Sequence, residues 1–145
     1  MQVSQAMTRE VRVATPGQSI RDAAKLMAEL DSGVLPVGEN DRLVGMITDR
    51  DIAIRAVAQG KDPTTPVRDV MSSEVKYCFE DEDLDHVAKN MADIQVRRLP
   101  VVNREKRLVG IISLGDLAQS QAKAAAKAVS GVSRPGGQHS QSARA

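Results

Sequence analysis

The sequence contains an internal repeat, and this feature constrains the fold more than any other. Leu35-Pro36-Val37 recurs 64 residues later as Leu99-Pro100-Val101. The segment 42–45 (Arg-Leu-Val-Gly) recurs as 107–110 at an offset of 65, so one residue has been inserted between the two matches. Other apolar residues repeat at the offset of 64: Met7, Val11, Ile20, Ala24, Met27 and Ala28 match Met71, Val75, Leu84, Ala88, Met91 and Ala92. Self-similarity at a fixed period indicates a duplicated structural unit.

Each copy shows the pattern of a strand, a helix, two strands and a second helix. In the first copy, apolar residues at helical spacing run from Ile20 to Leu30, and the turn 38–41 separates two short strands of a hairpin. A final helix begins near Asp49 and ends by Gly60. A repeat of about 60 residues buries too little surface to be stable alone. We therefore predict an α/β (α+β) fold of two pseudo-symmetric β-α-β-β-α repeats packed sheet to sheet.

The predicted organisation has four segments. Residues 1–62 form the first repeat, 63–73 a linker, and 74–129 the second repeat with an Ala-rich helical extension. Residues 130–145 are rich in Gly, Ser and Gln and have almost nothing to bury, which predicts a disordered tail. From Gln119 onward there are four basic residues and no acidic ones. A tail that binds nucleic acid is therefore a further hypothesis, although a solvated terminus is the favoured interpretation.

The composition excludes several classes of function. One Tyr, one Phe and no Trp leave few rings on which single-stranded nucleic acid could stack. The single cysteine, Cys78, rules out an internal disulfide or a multi-cysteine metal site. Without a Walker-type loop, a nucleophile elbow or a metal-ligand spacing, we predict no catalytic activity and no bound metal. No apolar run approaches the roughly 18 residues of a membrane span, and the N-terminus lacks a signal-peptide pattern, which together predict a cytoplasmic protein.

A second repeated motif lies where a predicted strand meets a predicted helix. Residues 45–51 and 110–116 both read Gly, two apolar residues, a hydroxyl residue, two variable residues and Asp. The first turn of a helix offers N–H groups and a positive dipole end to a phosphate; the hydroxyl could add a hydrogen bond, and the Asp could hold a ribose diol. The same spacing fits a capping box, in which hydroxyl and carboxylate satisfy the helix's own N–H groups. Both interpretations are compatible with the sequence.

On these motifs the sequence resembles a tandem pair of cystathionine-β-synthase-type (CBS) domains, often called a Bateman module. The resemblance covers roughly Met7 to Ala118, and residues 48–52 are especially like stand-alone bacterial CBS-pair proteins. It implies a regulatory module that binds an adenosine derivative, such as AMP, ADP, ATP, NAD or S-adenosylmethionine, in clefts between the copies, with no metal required. It also implies a homodimer whose modules meet through their helices, and a regulated protein partner that the sequence does not identify.

The resemblance also implies the residues of two sites. The motif hydroxyl would meet the phosphate and the motif Asp the ribose, which assigns Thr48 and Asp51 to one site and Ser113 and Asp116 to the other. The residues expected to flank adenine are Thr15, Val34, Leu35 and Pro36 in the first site, and Tyr77, Arg98, Leu99 and Pro100 in the second. Arg50 and Arg98 lack a counterpart in the other copy, so we expect either different phosphate preferences or simple surface charges. The alternative function is a dimeric protein-interaction module that binds no nucleotide.

Overall fold

The computed structural model describes residues 1–120 and 129–132, which form a mixed α+β structure as the sequence predicts. In chain order the elements are α1 (Ile20–Leu30), β1 (Val34–Glu39), β2 (Arg42–Thr48), α2 (Asp49–Asp51), β3 (Cys78–Phe79), α3 (Leu84–Ile94), β4 (Arg98–Val102), β5 (Leu108–Ser113) and α4 (Leu114–Ser120). Short 3₁₀ helices lie at Val3–Gln5 and Val67–Asp69, and a π-helix, Ile52–Val57, continues α2. Within the described ranges, no helix has the length and apolarity needed to cross a membrane.

The chain packs as two compact units whose boundaries differ from the predicted segments. The first-repeat unit contains Arg12–Val75 and Lys106–Leu108. The second-repeat unit contains Met1–Val11, Lys76–Glu105 and the described residues from Val109 onward. The N-terminal residues therefore pack with the second repeat, whereas the segment 63–73, which the sequence analysis treats as a linker, packs with the first.

Burial of apolar side chains explains why these two segments belong where they do. Val3 and Val67 are both fully buried, and each begins a 3₁₀ helix. The N–H of Val3 donates to the carbonyl of Glu82 at 3.0 Å, and the N–H of Val67 donates to the carbonyl of Gln18 at 2.7 Å. The two donors, and likewise the two acceptors, are related by the sequence offset of 64. The N-terminal segment therefore completes the second repeat, and the segment 63–73 completes the first.

Helices α1 and α3 have matching ends and matching apolar faces. Ser19 caps α1 and Asp83 caps α3, each side chain accepting a backbone N–H of the first turn at 3.1 Å. Each helix ends at a residue with left-handed backbone, Asp31 (φ 50°) and Gln95 (φ 58°). The buried faces consist of Ile20, Ala23 and Met27 in α1, and of Leu84, Val87, Ala88, Met91 and Ala92 in α3. The helical periodicity predicted in both copies is confirmed.

Each unit contains one small sheet. β1 and β2 form an antiparallel hairpin in which Val34 pairs with Thr48, with a β-bulge after Val37. β3, β4 and β5 form a three-stranded sheet, and β3 runs parallel to β4. The predicted first strand of the first copy is reduced to a single bridge between Ala14 and Val37. Pro16 follows closely and has no N–H to continue the ladder.

The core of each unit is aliphatic, as the scarcity of aromatic residues requires. In the first-repeat unit the α1 face packs with buried strand residues: Ala14, Leu35, Val37 and Ile47. In the second-repeat unit the α3 face packs in the same way with Cys78, Leu99, Val101 and Ile112. The repeated motifs begin within β2 and β5, and their hydroxyl residues, Thr48 and Ser113, are the last residues of these strands.

Residues 129–132 are helical, although the predicted disordered tail starts at residue 130. Gly131 gives the physical reason. It is buried against Ala92 of α3, where a β-carbon would have no room, and its carbonyl accepts a hydrogen bond from the side chain of Gln95 at 3.1 Å. The rest of the predicted helical extension and tail, 121–128 and 133–145, lies outside the described residues.

Candidate functional site

The two repeated motifs form the starts of α2 and α4. In the first motif the Thr48 hydroxyl accepts the N–H of Asp51 at 3.0 Å, and the Asp51 carboxylate accepts the N–H of Thr48 at 3.0 Å. In the second motif the Ser113 hydroxyl accepts the N–H of Asp116 at 3.2 Å, and the Asp116 carboxylate accepts the N–H of Ser113 at 3.0 Å. Both motifs are therefore closed capping boxes, the structural one of the two interpretations that the sequence allows.

The capping boxes leave part of each motif side chain available for a ligand. A hydroxyl group has one donor and two acceptor lone pairs, and the box uses a lone pair of Thr48 or Ser113. Asp51 and Asp116 each place a single oxygen, Oδ2, in the box. The hydroxyl hydrogen and the Oδ1 atom can still face a bound molecule. The capping and the ligand-binding interpretations are therefore compatible with each other.

The glycine that opens each motif has a packing explanation. A β-carbon on Gly45 would lie 2.9 Å from the carbonyl oxygen of Ser72, and a β-carbon on Gly110 would lie 2.9 Å from that of Thr8. Ser72 and Thr8 form antiparallel bridges to β2 and β5. The close approach of these backbones requires glycine at both positions, so the glycines do not by themselves indicate a ligand.

The N–H groups at the two helix starts differ in availability. The N–H of Asp49 donates to a backbone carbonyl at 2.8 Å, and the N–H of Arg50 donates to the Asp49 carboxylate at 2.8 Å. With Asp51 in its box, the first three N–H groups of α2 are all satisfied. At the start of α4, no hydrogen bond of the Gly115 N–H to another described residue is found, and Leu114 has no side-chain oxygen to match the carboxylate of Asp49. The predicted phosphate ligand Arg50 is exposed.

The Oδ1 atoms of the two motif carboxylates have different neighbours. Asp51 Oδ1 lies 4.0 Å from a guanidinium nitrogen of Arg55, one turn further along the helix. Asp116 Oδ1 lies 3.5 Å from the hydroxyl of Thr8, which donates to it. Thr8 and Arg55 are not among the residues predicted from the sequence. The repeat could have indicated Thr8, because it matches Ser72 at the offset of 64, each after a Met.

Of the four residues predicted to flank adenine in the first site, Val34 lies next to the motif, directly opposite Thr48 in the hairpin. The Leu35 side chain is 1% exposed and packs in the core, because alternate residues of a strand point to opposite faces. Its backbone alone could contact a ligand. Pro36 is also buried. Thr15 follows the parallel bridge to β1 and lies toward the opposite end of that strand.

The four predicted residues of the second site are arranged in a similar way. Arg98 begins β4 and is exposed, whereas Leu99 and Pro100 are buried, Leu99 within the core. Tyr77 precedes β3 and is 40% exposed. Its ring meets the ring of Phe79 edge to face, with 5.7 Å between centroids. The structure therefore gives Tyr77 an aromatic partner within its own unit.

Three side chains of the second-repeat unit, those of Cys78, Asp81 and Arg104, have clearly shifted pKa values, and none belongs to a motif. Arg104 lies 4.2 Å from the Phe79 ring centroid and donates to the Asp81 carboxylate at 2.9 and 2.7 Å, which lowers the pKa of Asp81. Burial, with a smaller effect from the charge of Glu82, raises the pKa of Cys78 to about 12. A thiol with this pKa is a core residue rather than a nucleophile.

The sequence matches the CBS domain family twice, over residues 3–57 and 67–123. The chain belongs to the CBS domain family. The tandem CBS pair inferred from the Leu-Pro-Val and Gly-x-x-Thr/Ser-x-x-Asp repeats is confirmed. The CBS domain-containing protein YhcV of Bacillus subtilis (strain 168) is 46% identical to this CBS pair over 119 residues, which cover 82% of this chain and 84% of that protein.

Solved structures share the CBS-pair architecture. A crystal structure of Hypoxic Response Protein I with two coordinated zinc ions has a TM-score of 0.75 and 34% identity, and the match covers 83% of this chain and 98% of that chain. The CBS domain pair of protein MJ0100, in complex with 5′-methylthioadenosine and S-adenosylmethionine, has a TM-score of 0.72 and 31% identity, covering 85% and 97% of the two chains. Among the described residues of this CBS pair, no group of three or more His, Cys, Asp or Glu side chains could hold a metal ion.

Proposed function

We propose that this CBS pair is a regulatory module that binds an adenosine derivative and has no catalytic activity of its own. The observation that carries the proposal is the duplicated motif, in which hydroxyl and carboxylate keep hydrogen-bonding capacity outside their capping box. The MJ0100 pair, whose structure holds two adenosine derivatives, supports it. The candidate ligands are AMP, ADP, ATP, NAD and S-adenosylmethionine, and no metal is required.

The motif residues have separate roles in this proposal. Asp51 and Asp116 accept hydrogen bonds from the ribose diol through Oδ1, and Thr48 and Ser113 donate their hydroxyl hydrogens to a phosphate or another polar group. The N–H of Gly115 adds a donor in the second site. The further proposed contacts are Thr15, Val34, Leu35, Pro36 and Arg50 in the first site, and Tyr77, Arg98, Leu99 and Pro100 in the second, with Leu35 and Leu99 contributing backbone atoms.

Thermal unfolding with a panel of adenine and guanine ligands tests this function. A ligand at about 100 times its Kd stabilises a protein by about 2.7 kcal/mol per site, and each kcal/mol raises the midpoint by roughly 2–4 °C for a chain of this size. We expect an adenine ligand to raise the midpoint and the double variant Asp51→Ala, Asp116→Ala to abolish the rise. Asp93→Ala, which removes an exposed acid from α3, is the matched control. No rise with any ligand at millimolar concentration would refute the proposal.

We also propose that the module is a cytoplasmic homodimer. Ile54 and Val57 on the π-helix are 49% and 67% exposed, and Leu30 at the end of α1 is 39% exposed. Apolar side chains exposed on helices form a surface that a second copy could cover. Sedimentation should show a dimer that dissociates in the Ile54→Asp, Val57→Asp variant. A monomer at micromolar concentration would contradict this assembly.

The second candidate function is a protein-interaction module that binds no nucleotide. The observation that favours it is that both motifs are closed boxes and that the first three N–H groups of α2 are satisfied within the chain. Under this alternative, Asp51→Ala and Asp116→Ala lower the midpoint through lost caps, and no ligand changes it. The same thermal panel therefore separates the two functions.

A further inference from the structure

We propose that Arg55 is a positioning residue of the first-repeat site, which makes the recognition of ribose by Asp51 dependent on a cation whose place in the second repeat is taken by Ser120. This inference rests on the proposed adenosine-binding function. It concerns a side chain outside the repeated motif, one helical turn beyond Asp51. Nothing in the sequence motif identifies Arg55, because only the folded chain brings it to the carbonyls that hold it.

The Arg55 guanidinium is fixed by backbone rather than by its ion pair. Its Nη1 atom donates to the carbonyl of Val70 at 3.0 Å and to the carbonyl of Met71 at 3.2 Å. The same nitrogen lies 4.0 Å from Asp51 Oδ1. Two carbonyl acceptors from one segment anchor a planar group in one place. Arg55 therefore ties the start of the helix to residues 70 and 71.

The segment that holds the Arg55 guanidinium is itself hydrogen-bonded to the motif strand, through Ser72, the residue that follows Met71. Ser72 exchanges two backbone hydrogen bonds with Met46 of β2, at 2.8 and 2.9 Å. Asp51 is 21% exposed at its side chain, and its Oδ2 is already held by Thr48. With Arg55 beside Oδ1, both carboxylate oxygens have fixed neighbours, and the carboxylate is preorganised before any ligand arrives.

In the second-repeat unit, the described neighbour of the corresponding carboxylate oxygen is a hydroxyl group. The residue equivalent to Arg55 is Ser120, at the motif offset of 65. Asp116 Oδ1 instead accepts a hydrogen bond from the Thr8 hydroxyl at 3.5 Å. A neutral hydroxyl can turn toward a ligand, whereas the guanidinium stays with its two carbonyls. We therefore infer that loss of Arg55 affects ribose recognition in the first site alone.

The test measures the affinities of AMP and of its 2′,3′-dideoxy analogue by calorimetric titration. The protein carries Asp116→Asn, which weakens the second site so that binding to the first site is observed. We expect this background to prefer AMP by roughly tenfold to hundredfold, the factor for losing hydrogen bonds to a charged group. Arg55→Gln should reduce the preference to near unity, because Asp51 is no longer positioned. Arg21→Gln, which removes an exposed cation from α1, should leave it unchanged.

The ratio of the two affinities keeps the outcomes distinguishable. A general loss of stability weakens both ligands together, so a change in their ratio reports the position of Asp51. If Arg55→Gln does not fold, Arg55→Met, which keeps a long side chain but removes the charge and the Nη1 donor, is expected to lower the ratio as well. An unchanged ratio in the folded variant would overturn the role of Arg55 and leave the proposed function standing. If the background and the unmodified chain bind no AMP or other adenine ligand, the proposed function itself fails.

Discussion

Thr48 and Asp51 bind each other in both directions: each side chain accepts the other residue's backbone N–H, both at 3.0 Å. The pair closes the start of α2 and at the same time leaves the hydroxyl hydrogen and Asp51 Oδ1 outside the box. The second motif repeats this arrangement between Ser113 and Asp116. One pair of side chains can therefore stabilise a helix and present a polar surface to a ligand.

Removing the cap should cost stability even without a ligand. We expect Thr48→Ala to lower the free energy of unfolding by about 0.5–2 kcal/mol, because the N–H of Asp51 loses its acceptor. Thr48→Ser keeps the hydroxyl and should lie much closer to the wild type. Urea unfolding followed by circular dichroism measures the difference. Equal stability of the Ala and wild-type proteins would show that the box does not contribute in solution.

The motif glycines should tolerate no side chain. A β-carbon on Gly45 or Gly110 meets a methionine sulfur at 2.7 or 2.5 Å and a backbone oxygen at 2.9 Å. We expect Gly45→Ala and Gly110→Ala each to destabilise the protein by about 1–3 kcal/mol, the range for overpacked sites. Gly115→Ala is the control, since its β-carbon would meet only the Ser113 hydroxyl at 3.6 Å. Thermal midpoints compare the three, and a neutral Gly45→Ala would contradict the close approach.

The N-terminal residues 1–11 and the segment 63–73 should contribute to the two cores and not behave as linkers. We expect Val3→Ala and Val67→Ala each to lower the free energy of unfolding by about 1.5–3 kcal/mol, the contribution of a fully buried Val. Val129→Ala makes the same chemical change at a side chain that is 47% exposed, so it should stay within about 0.5 kcal/mol of the wild type. Chemical denaturation measures all three. If all three variants lower the free energy of unfolding by the same amount, the two segments are not part of the cores.

Cys78 should be unreactive in the folded protein. Its side chain is 3% exposed, and burial raises its pKa from 9.0 to about 12. The folded state therefore favours the neutral thiol, and this contribution to stability is fully present below about pH 9 and is lost as the pH rises toward 12. We expect iodoacetamide to modify Cys78 at pH 8 only after denaturation.

The same shift predicts a pH-dependent difference between the wild type and Cys78→Ala. The variant loses packing at every pH but has no thiol to ionise in the unfolded chain. Its deficit in the free energy of unfolding should therefore shrink as the pH rises above 9. Denaturation at pH 7, 9 and 10 measures it, and a deficit that is constant with pH would contradict the buried thiol.

The helices and the hairpin could be predicted because their signals are local. The spacing of apolar residues indicates α1 and α3. The strands β1 and β2 flank a short turn, so residues that pair in the hairpin are close in the sequence. The first strand of the first copy could not be judged in this way. It depends on pairing with β1 and is reduced to one bridge at Ala14.

The duplication, the family, the helices and the motif residues Asp51 and Asp116 could be recognised from the sequence, because each follows from a local pattern or from its repetition. The tertiary structure was needed to assign residues 1–11 and 63–75 to their units, since contacts between distant segments leave no periodic signal. It also showed why position 45 requires glycine: the backbone of Ser72 leaves no room for a β-carbon there. Folding brings Thr8 to Asp116, and it also brings Arg55, four residues after Asp51, to the carbonyls of Val70 and Met71.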